Sequence, residues 1–266
     1  MKTVVITGSA RGFGYAMIEL FRKKGFHVVL SDINQKALQE AEEKLKKIPS
    51  KAKILSFVTD VTKEEEIQHL IEETLKETNT IDIWINNAGV NQPNLPIWDV
   101  PKDVLDRLLE IDLKGTILCS KLIMKVMMKQ HYGQIFNVEG HGSNDAVITG
   151  LSIYGTSKRA VSYFTDALAH ECDDLKTGVY VGKITPGIMI TNFIHTSLGD
   201  GETIPLDEKT KKVYNILGDT PETIAEYMVD KIIQNKKNHA KFTWLTNRKA
   251  AWRFMTSAFH KRNFFE

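Results

Sequence analysis

The chain has 266 residues, 42% of them hydrophobic and 26% charged, with a formal net charge of +2. This ordinary globular mixture is long enough to bury a core without disulfide or metal, and its charge balance argues against nucleic acid as a partner. Cys119 and Cys172 fall in helical, core-like stretches with no partner at zinc spacing, so both read as reduced thiols of a cytoplasmic protein without a metal site.

Met1-Lys2 runs straight into Thr3–Ile6, which leaves no room for a signal peptide, and no apolar run is long enough to span a bilayer. Short β-branched runs then alternate with longer amphipathic stretches. Strands are predicted at Val4–Ile6, Val28–Leu30, Ile54–Val58, Ile83–Ile85, Gln134–Val138, Val179–Ile184 and, more weakly patterned, Lys241–Trp244. Helices are predicted over Gly12–Lys24, Gln35–Lys47, Lys63–Thr78, Lys102–Gln130, Ile153–Leu175 and Pro221–Gln234. Such alternation predicts one α/β domain over residues 1–266. Its doubly wound Rossmann fold would have a mostly parallel seven-stranded sheet with helices on both faces. Two stretches fall outside the pattern. Thr191–Asp219 is polar, rich in turn residues and long for a connection, which fits a substrate lid. Residues 245–266 form a tail that is both basic and aromatic.

After the first strand comes Thr7-Gly8-Ser9-Ala10-Arg11-Gly12-Phe13-Gly14. Glycines permit a sharp strand-to-helix turn and close approach of a pyrophosphate, and the helix N-terminus supplies N–H donors. Asp32 ends the second strand, about 20 residues on, where an acid can bind both hydroxyls of an adenosine ribose. A carboxylate there repels a 2′-phosphate and favours NAD over NADP. Arg11 pulls the other way, because a guanidinium can pair with that phosphate.

Tyr154 and Lys158 lie four apart in a predicted helix and share a face. A nearby ammonium favours phenolate, so such a tyrosine can exchange a proton with a carbonyl or alcohol. Tyr227 and Lys231 have the same spacing, so position must separate the pairs. Tyr154 follows the strand after the nucleotide half, whereas Tyr227 lies in a late helix and reads as a surface pair.

With these motifs in this order the chain resembles the short-chain dehydrogenase/reductase family, from Thr3 to about Trp244. The resemblance rests on the glycine loop, Asp60-Val61, Asn86-Asn87-Ala88-Gly89, the Tyr154/Lys158 pair, and Pro186-Gly187 followed by Thr191. It implies that Asp60 and Val61 hold the adenine and that Asn87, Ala88 and Gly89 lie along the ribose. It also implies that Pro186, Gly187, Ile188 and Thr191 surround the nicotinamide and that Lys158 binds its ribose. A homodimer or homotetramer formed through Lys102–Gln130 and Ile153–Leu175 follows from the same resemblance.

Two positions depart from the family pattern. Asp112 stands where the family usually has an asparagine that holds a water in a proton relay to the lysine. An ionised aspartate can accept that hydrogen bond but cannot donate one, and a helix residue with no part in the relay is the plainer reading. The usual catalytic serine is also missing from its place. The strand end reads Asn137-Val138-Glu139-Gly140-His141-Gly142-Ser143; counting from Asn137 puts Gly140 at the serine position, and counting about 13 back from Tyr154 puts His141 there. Ser143 is preferred as the second donor to the substrate oxygen, because a hydroxyl donates at any working pH; His141 is the alternative. Residues 133–143, 219–225 and 245–265 resemble the corresponding segments of plant chlorophyll b reductases. That implies a carbonyl on a bulky apolar molecule.

The expected reaction is carbonyl reduction or alcohol oxidation with NAD or NADP, with Tyr154 as proton donor. A hydroxysteroid or sugar-alcohol dehydrogenase is the enzymatic alternative, and a nucleotide-binding sensor with little turnover the other. In the tail, Trp252, Met255 and Phe259 recur at helical spacing. The stripe is expected to pack on the chain's own core or on another subunit. In the alternative it flanks the substrate opening or touches an anionic membrane surface.

Overall fold

The computed structural model describes residues 1–144, 146–191 and 208–265. The chain forms seven strands: β1 Thr3–Thr7, β2 His27–Asp32, β3 Ile54–Val58, β4 Ile83–Asn86, β5 Gly133–Val138, β6 Val179–Thr185 and β7 Ala240–Thr243. They make one sheet in the order β3-β2-β1-β4-β5-β6-β7, and every pairing is parallel. The order reverses direction between β1 and β4. This is where a doubly wound sheet opens a crevice at the carboxyl ends of its strands.

Side chains alternate across the strands and build two cores. Val4 and Ile6 face a layer made by α1 (Gly12–Lys23), α2 (Gln35–Lys46) and α8 (Pro221–Gln234), with Phe21, Leu45 and Met228 at its centre. Val5 and Trp84 face α3 (Glu64–Thr78), α5 (Thr116–Gln130) and α6 (Ser152–Asp174), where Ile67, Ile123 and Cys172 fill the space. Helix starts follow from their sequences. Asn34 accepts from the Ala37 N–H at 2.9 Å to start α2, and Thr220, with Pro221 after it, caps α8.

The long stretch Lys102–Gln130 is not one regular helix. It is α4 (Lys102–Leu108), a π-helical segment over Leu109–Gly115, and α5. The irregular turn lets Gly115 pack on Val61, where a methyl group at Gly115 would stand 2.8 Å from Val61 Cγ2. It also turns Asp112 fully into the interior. Such π segments often mark functional sites.

Most of the lid expectation, residues 192–207, lies outside the described residues. After it come α7 (Glu208–Leu217) and a single bridge joining Met189 to Asp219. The tail folds as α9 (Asn247–Thr256) and a short extended end. Asp219, 8% exposed at its side chain, ties it down: it pairs with Arg253 at 2.7 Å and Arg262 at 2.6 Å and accepts from the Trp244 indole N–H at 2.6 Å. The packing expectation for the tail stripe does not hold within this chain. Trp252 is 63% exposed, Met255 69% and Phe259 86%, because the arginines rather than the apolar face bind α9 to the body.

Candidate active site

The glycine loop between β1 and α1 lies at the crevice. Gly8 and Gly12 have φ values of +62° and +59°, which only glycine adopts without strain. A methyl group at Gly8 would meet Ala88 Cα at 2.7 Å, and one at Gly14 would meet the Gly8 carbonyl at 2.5 Å, so both glycines allow close packing. Gly12 differs: its nearest neighbour would be Thr191 Cγ2 at 3.9 Å, which leaves a cradle above the α1 N-terminus open to a ligand. Asn87 fixes the loop by donating to the carbonyls of Thr7 and Gly8 at 3.0 and 2.8 Å. The Thr7 hydroxyl in turn accepts from the Asn87 and Ala88 N–H groups, both at 3.1 Å.

The crevice is a cleft of about 930 Å³ lined at one end by Gly8, Arg11, Gly12, Phe13 and Gly14 and by Asp32, and farther along by Asp60, Val61 and Asn87 to Gly89. Asp32 is held at the end of β2 by the N–H groups of Ala10 (3.2 Å) and Asn34 (3.1 Å). Asp60 Oδ1 accepts from both the N–H and the hydroxyl of Thr62. The buried hydroxyl of Ser9 in the glycine loop is used within the protein: it donates to the Ile6 carbonyl and accepts from the Ser31 N–H. Thr191 lines the cleft with Met189 and Ile190. Pro186, Gly187 and Ile188 are not part of that wall, and Gly187 packs on Leu245. The open cradle at Gly12, the fixed carboxylate of Asp32 and the volume of the cleft fit a dinucleotide.

Tyr154 and Lys158 face the same cleft from the first turns of α6. The start of that helix is held by Gln92, which sequence reasoning missed. Its Oε1 accepts from the Tyr154 N–H at 2.7 Å, and its Nε2 donates to the Gly150 carbonyl at 2.7 Å. Lys158 Nζ lies 5.5 Å from the centre of the Tyr154 ring and 2.8 Å from Asp112 Oδ2. The other Asp112 oxygen accepts from the Val90 N–H at 2.8 Å. Asp112 is therefore a direct partner of the lysine. Burial pulls the Lys158 pKa down, but Asp112, with Tyr154, outweighs it and holds the ammonium above its ordinary value. Burial pushes the Asp112 carboxyl up, against the pull of Lys158. The tyrosine corrects a sequence expectation. Burial pushes the Tyr154 phenol above its ordinary value; Lys158 pulls it down, and Asp112 and Tyr214 add to the rise.

Neither candidate for the second donor lines this cleft. The Ser143 hydroxyl donates to the Lys158 carbonyl at 3.3 Å and accepts from the Gly140 N–H at 3.1 Å. His141 lies with Gly142 in a separate apolar groove beside α6, and burial pulls its pKa below the ordinary value. Glu139 does line the cleft, another residue that was not anticipated. Its buried carboxylate accepts from the Thr185 hydroxyl at 2.6 Å and pairs with Lys241 at 2.9 Å. The Tyr227/Lys231 pair stays away from the cleft, with the ring against Trp244 at 5.5 Å between centroids.

Sequence comparison agrees with this geometry: residues 2–200 match the short chain dehydrogenase family. The chain belongs to that family. Among its relatives is the Arabidopsis thaliana protein named "Probable chlorophyll(ide) b reductase NYC1, chloroplastic", 30% identical over all of this chain and 55% of the relative. A diacetyl reductase of Staphylococcus epidermidis is 32% identical over 78% of each chain. The chain thus spans about half the length of the first of these. Levodione reductase superposes with a TM-score of 0.82 at 22% identity, covering 94% of this chain and 98% of that one. NAD+-bound xylitol dehydrogenase does so with 0.77 at 24%, covering 91% and 96%. At those identities the likeness shows the shared fold. No helix among the described residues is long and apolar enough to cross a membrane.

Proposed function

We propose that this chain reduces an aldehyde or ketone on a bulky apolar molecule, with NADH preferred over NADPH. The observation that carries the reading is the Tyr154–Lys158 pair buried at the wall of a dinucleotide-sized cleft. Bound there, the nicotinamide dinucleotide supplies the hydride that reduces the carbonyl carbon. Gly8, Gly12 and Gly14 receive its pyrophosphate, Asp32 its adenosine ribose and Asp60 with Val61 its adenine. Tyr154 donates a proton to the carbonyl oxygen as negative charge develops there. Lys158 keeps donors beyond the one spent on Asp112, and these orient the nicotinamide ribose.

The carboxylate of Asp32 supports the cofactor preference, since it repels a 2′-phosphate, and Arg11 at the cleft is the group that would accept one. The exposed Trp252, Met255 and Phe259, with Arg248 and Lys261 near them in sequence, support a large apolar substrate drawn from, or beside, an anionic surface. The relatives named as chlorophyll(ide) b reductases support the same substrate class. An oligomer through α5 and α6 belongs to this reading as well; Tyr163 on α6 is 77% exposed and is the surface feature that supports it.

A carbonyl screen following NADH absorbance tests the proposal with aldehydes of increasing ring size. Turnover that rises with ring size supports it. Absence of turnover across the panel would leave a nucleotide-binding sensor, and preference for small polyols would favour a sugar-alcohol dehydrogenase.

A further inference from the structure

The pair that handles the proton carries an extra acid. Asp112 is fully buried, and its Oδ2 lies 2.8 Å from Lys158 Nζ. The π-helical turn of Leu109–Gly115 delivers it there, and the Val90 N–H fixes its other oxygen. Gly89 roofs the pair: a methyl group at that position would stand 3.3 Å from Asp112 Oδ2 and 3.5 Å from Lys158 Nζ. The contact is therefore enclosed by protein on several sides and little screened by water.

We propose that Asp112 is a positioning residue that neutralises Lys158 and so keeps the Tyr154 hydroxyl protonated, poised to donate to a carbonyl oxygen. The direction of chemistry rests on the carbonyl-reductase reading above; the electrostatic claim does not. With one proton between them, Asp112 and Lys158 carry no net charge whichever atom holds it. A tyrosine beside that pair feels the Asp112 carboxylate against the Lys158 ammonium, so the stabilisation of phenolate by the lysine is weakened.

Among the described residues, few titratable groups bear on the hydroxyl. Lys158 acts from α6, Asp112 from the π segment and Tyr214 from α7. Glu139 and His141 flank Gly140, which touches the hydroxyl. Glu139 is paired with Lys241, and burial favours neutral His141. In this set Lys158 supplies the cation to the tyrosine, and Asp112 opposes it in the same direction as burial. An asparagine at position 112 would keep the shape and remove the anion.

The test needs no substrate. NMR of ring-labelled tyrosine in the full chain, with the Tyr154 signal assigned by its loss in Tyr154→Phe, reads the phenol titration directly. In the unaltered protein Tyr154 should titrate at or above about 10, the ordinary value for tyrosine. In Asp112→Asn the midpoint should fall by about one pH unit or more. A midpoint below about 9 in the unaltered chain, or one that stays put or rises in Asp112→Asn, would overturn the inference. The first criterion stands even if the variant does not fold. A failed carbonyl screen would sink the functional proposal alone, since this titration involves no turnover.

Discussion

Gly140 and Tyr154 touch: a methyl group at Gly140 would stand 2.3 Å from the tyrosine hydroxyl oxygen. Gly140, one of the two positions expected for the serine of related enzymes, is thus closed to any side chain while Tyr154 keeps this position. Gly140→Ser should not restore a second donor. It should displace Tyr154, cost roughly 1–3 kcal/mol of stability from overpacking, and lower kcat. Thermal melting and NADH kinetics on the same preparation check both parts, and a more active serine variant would refute them.

Ser143 gives the complementary case. Its hydroxyl joins the Gly140 N–H to the Lys158 carbonyl, so it holds the loop after β5 against α6. Ser143→Ala should cost about 1–2 kcal/mol of stability, the usual scale for losing a buried hydrogen bond. The same change should lower kcat less than Tyr154→Phe does. A loss of kcat as large as that of Tyr154→Phe, with stability unchanged, would return the hydroxyl to the chemistry.

The proposed cofactor preference turns on Asp32, fixed at the end of β2 by two backbone N–H groups. Asp32→Ser should narrow or reverse the NADH preference by removing the like charge and leaving Arg11 to pair with a 2′-phosphate. The ratio of kcat/KM for the two cofactors measures it. A preference for NADPH in the unaltered protein would contradict the assignment.

How much of this was legible beforehand follows from the kind of signal each feature carries. The seven strands and the glycine loop are local patterns, and they fell within a residue or two of their predicted places. The π segment was not legible, since Leu109–Gly115 keeps the composition of a helix and the close approach of Gly115 to Val61 is a tertiary contact. Asp112 could be flagged only as a departure from a family habit; its contact with Lys158 needs the tertiary fold. The orientation of Ser143 is likewise set by a carbonyl on another element. The tail face was expected to be covered, because an apolar stripe usually is. The sequence carried no sign that Asp219 would hold the tail through arginines instead.

That clasp gives a pH dependence. Burial raises the Asp219 pKa, but the hydrogen bonds from Arg253 and Trp244 outweigh it, and the net direction is below the ordinary 3.8. A carboxylate with a depressed folded-state pKa adds stability above its unfolded value, and that stability is lost as pH falls through the lower folded value. Asp219→Asn should therefore destabilise the protein at neutral pH by about 2 kcal/mol. The gap in Tm between the two proteins should close as pH drops below about 4. A gap that persists unchanged in acid would mean the clasp is not electrostatic.

The exposed stripe on α9 should be separable from folding. Replacing Trp252 and Met255 with serine should leave stability within about 0.5 kcal/mol, as for most exposed positions. It should also reduce the preference for bulky over small aldehydes. Loss of stability or of oligomer size would show instead that the stripe is covered by another subunit.

In the proposed function Tyr154 is the proton donor of a carbonyl reductase. Single turnover of preformed enzyme–NADH complex, mixed with the best aldehyde of the screen, tests it most directly. Tyr154→Phe should bind NADH nearly as the unaltered chain does and consume it about a hundredfold more slowly or worse. Equal rates in the two proteins would contradict the account.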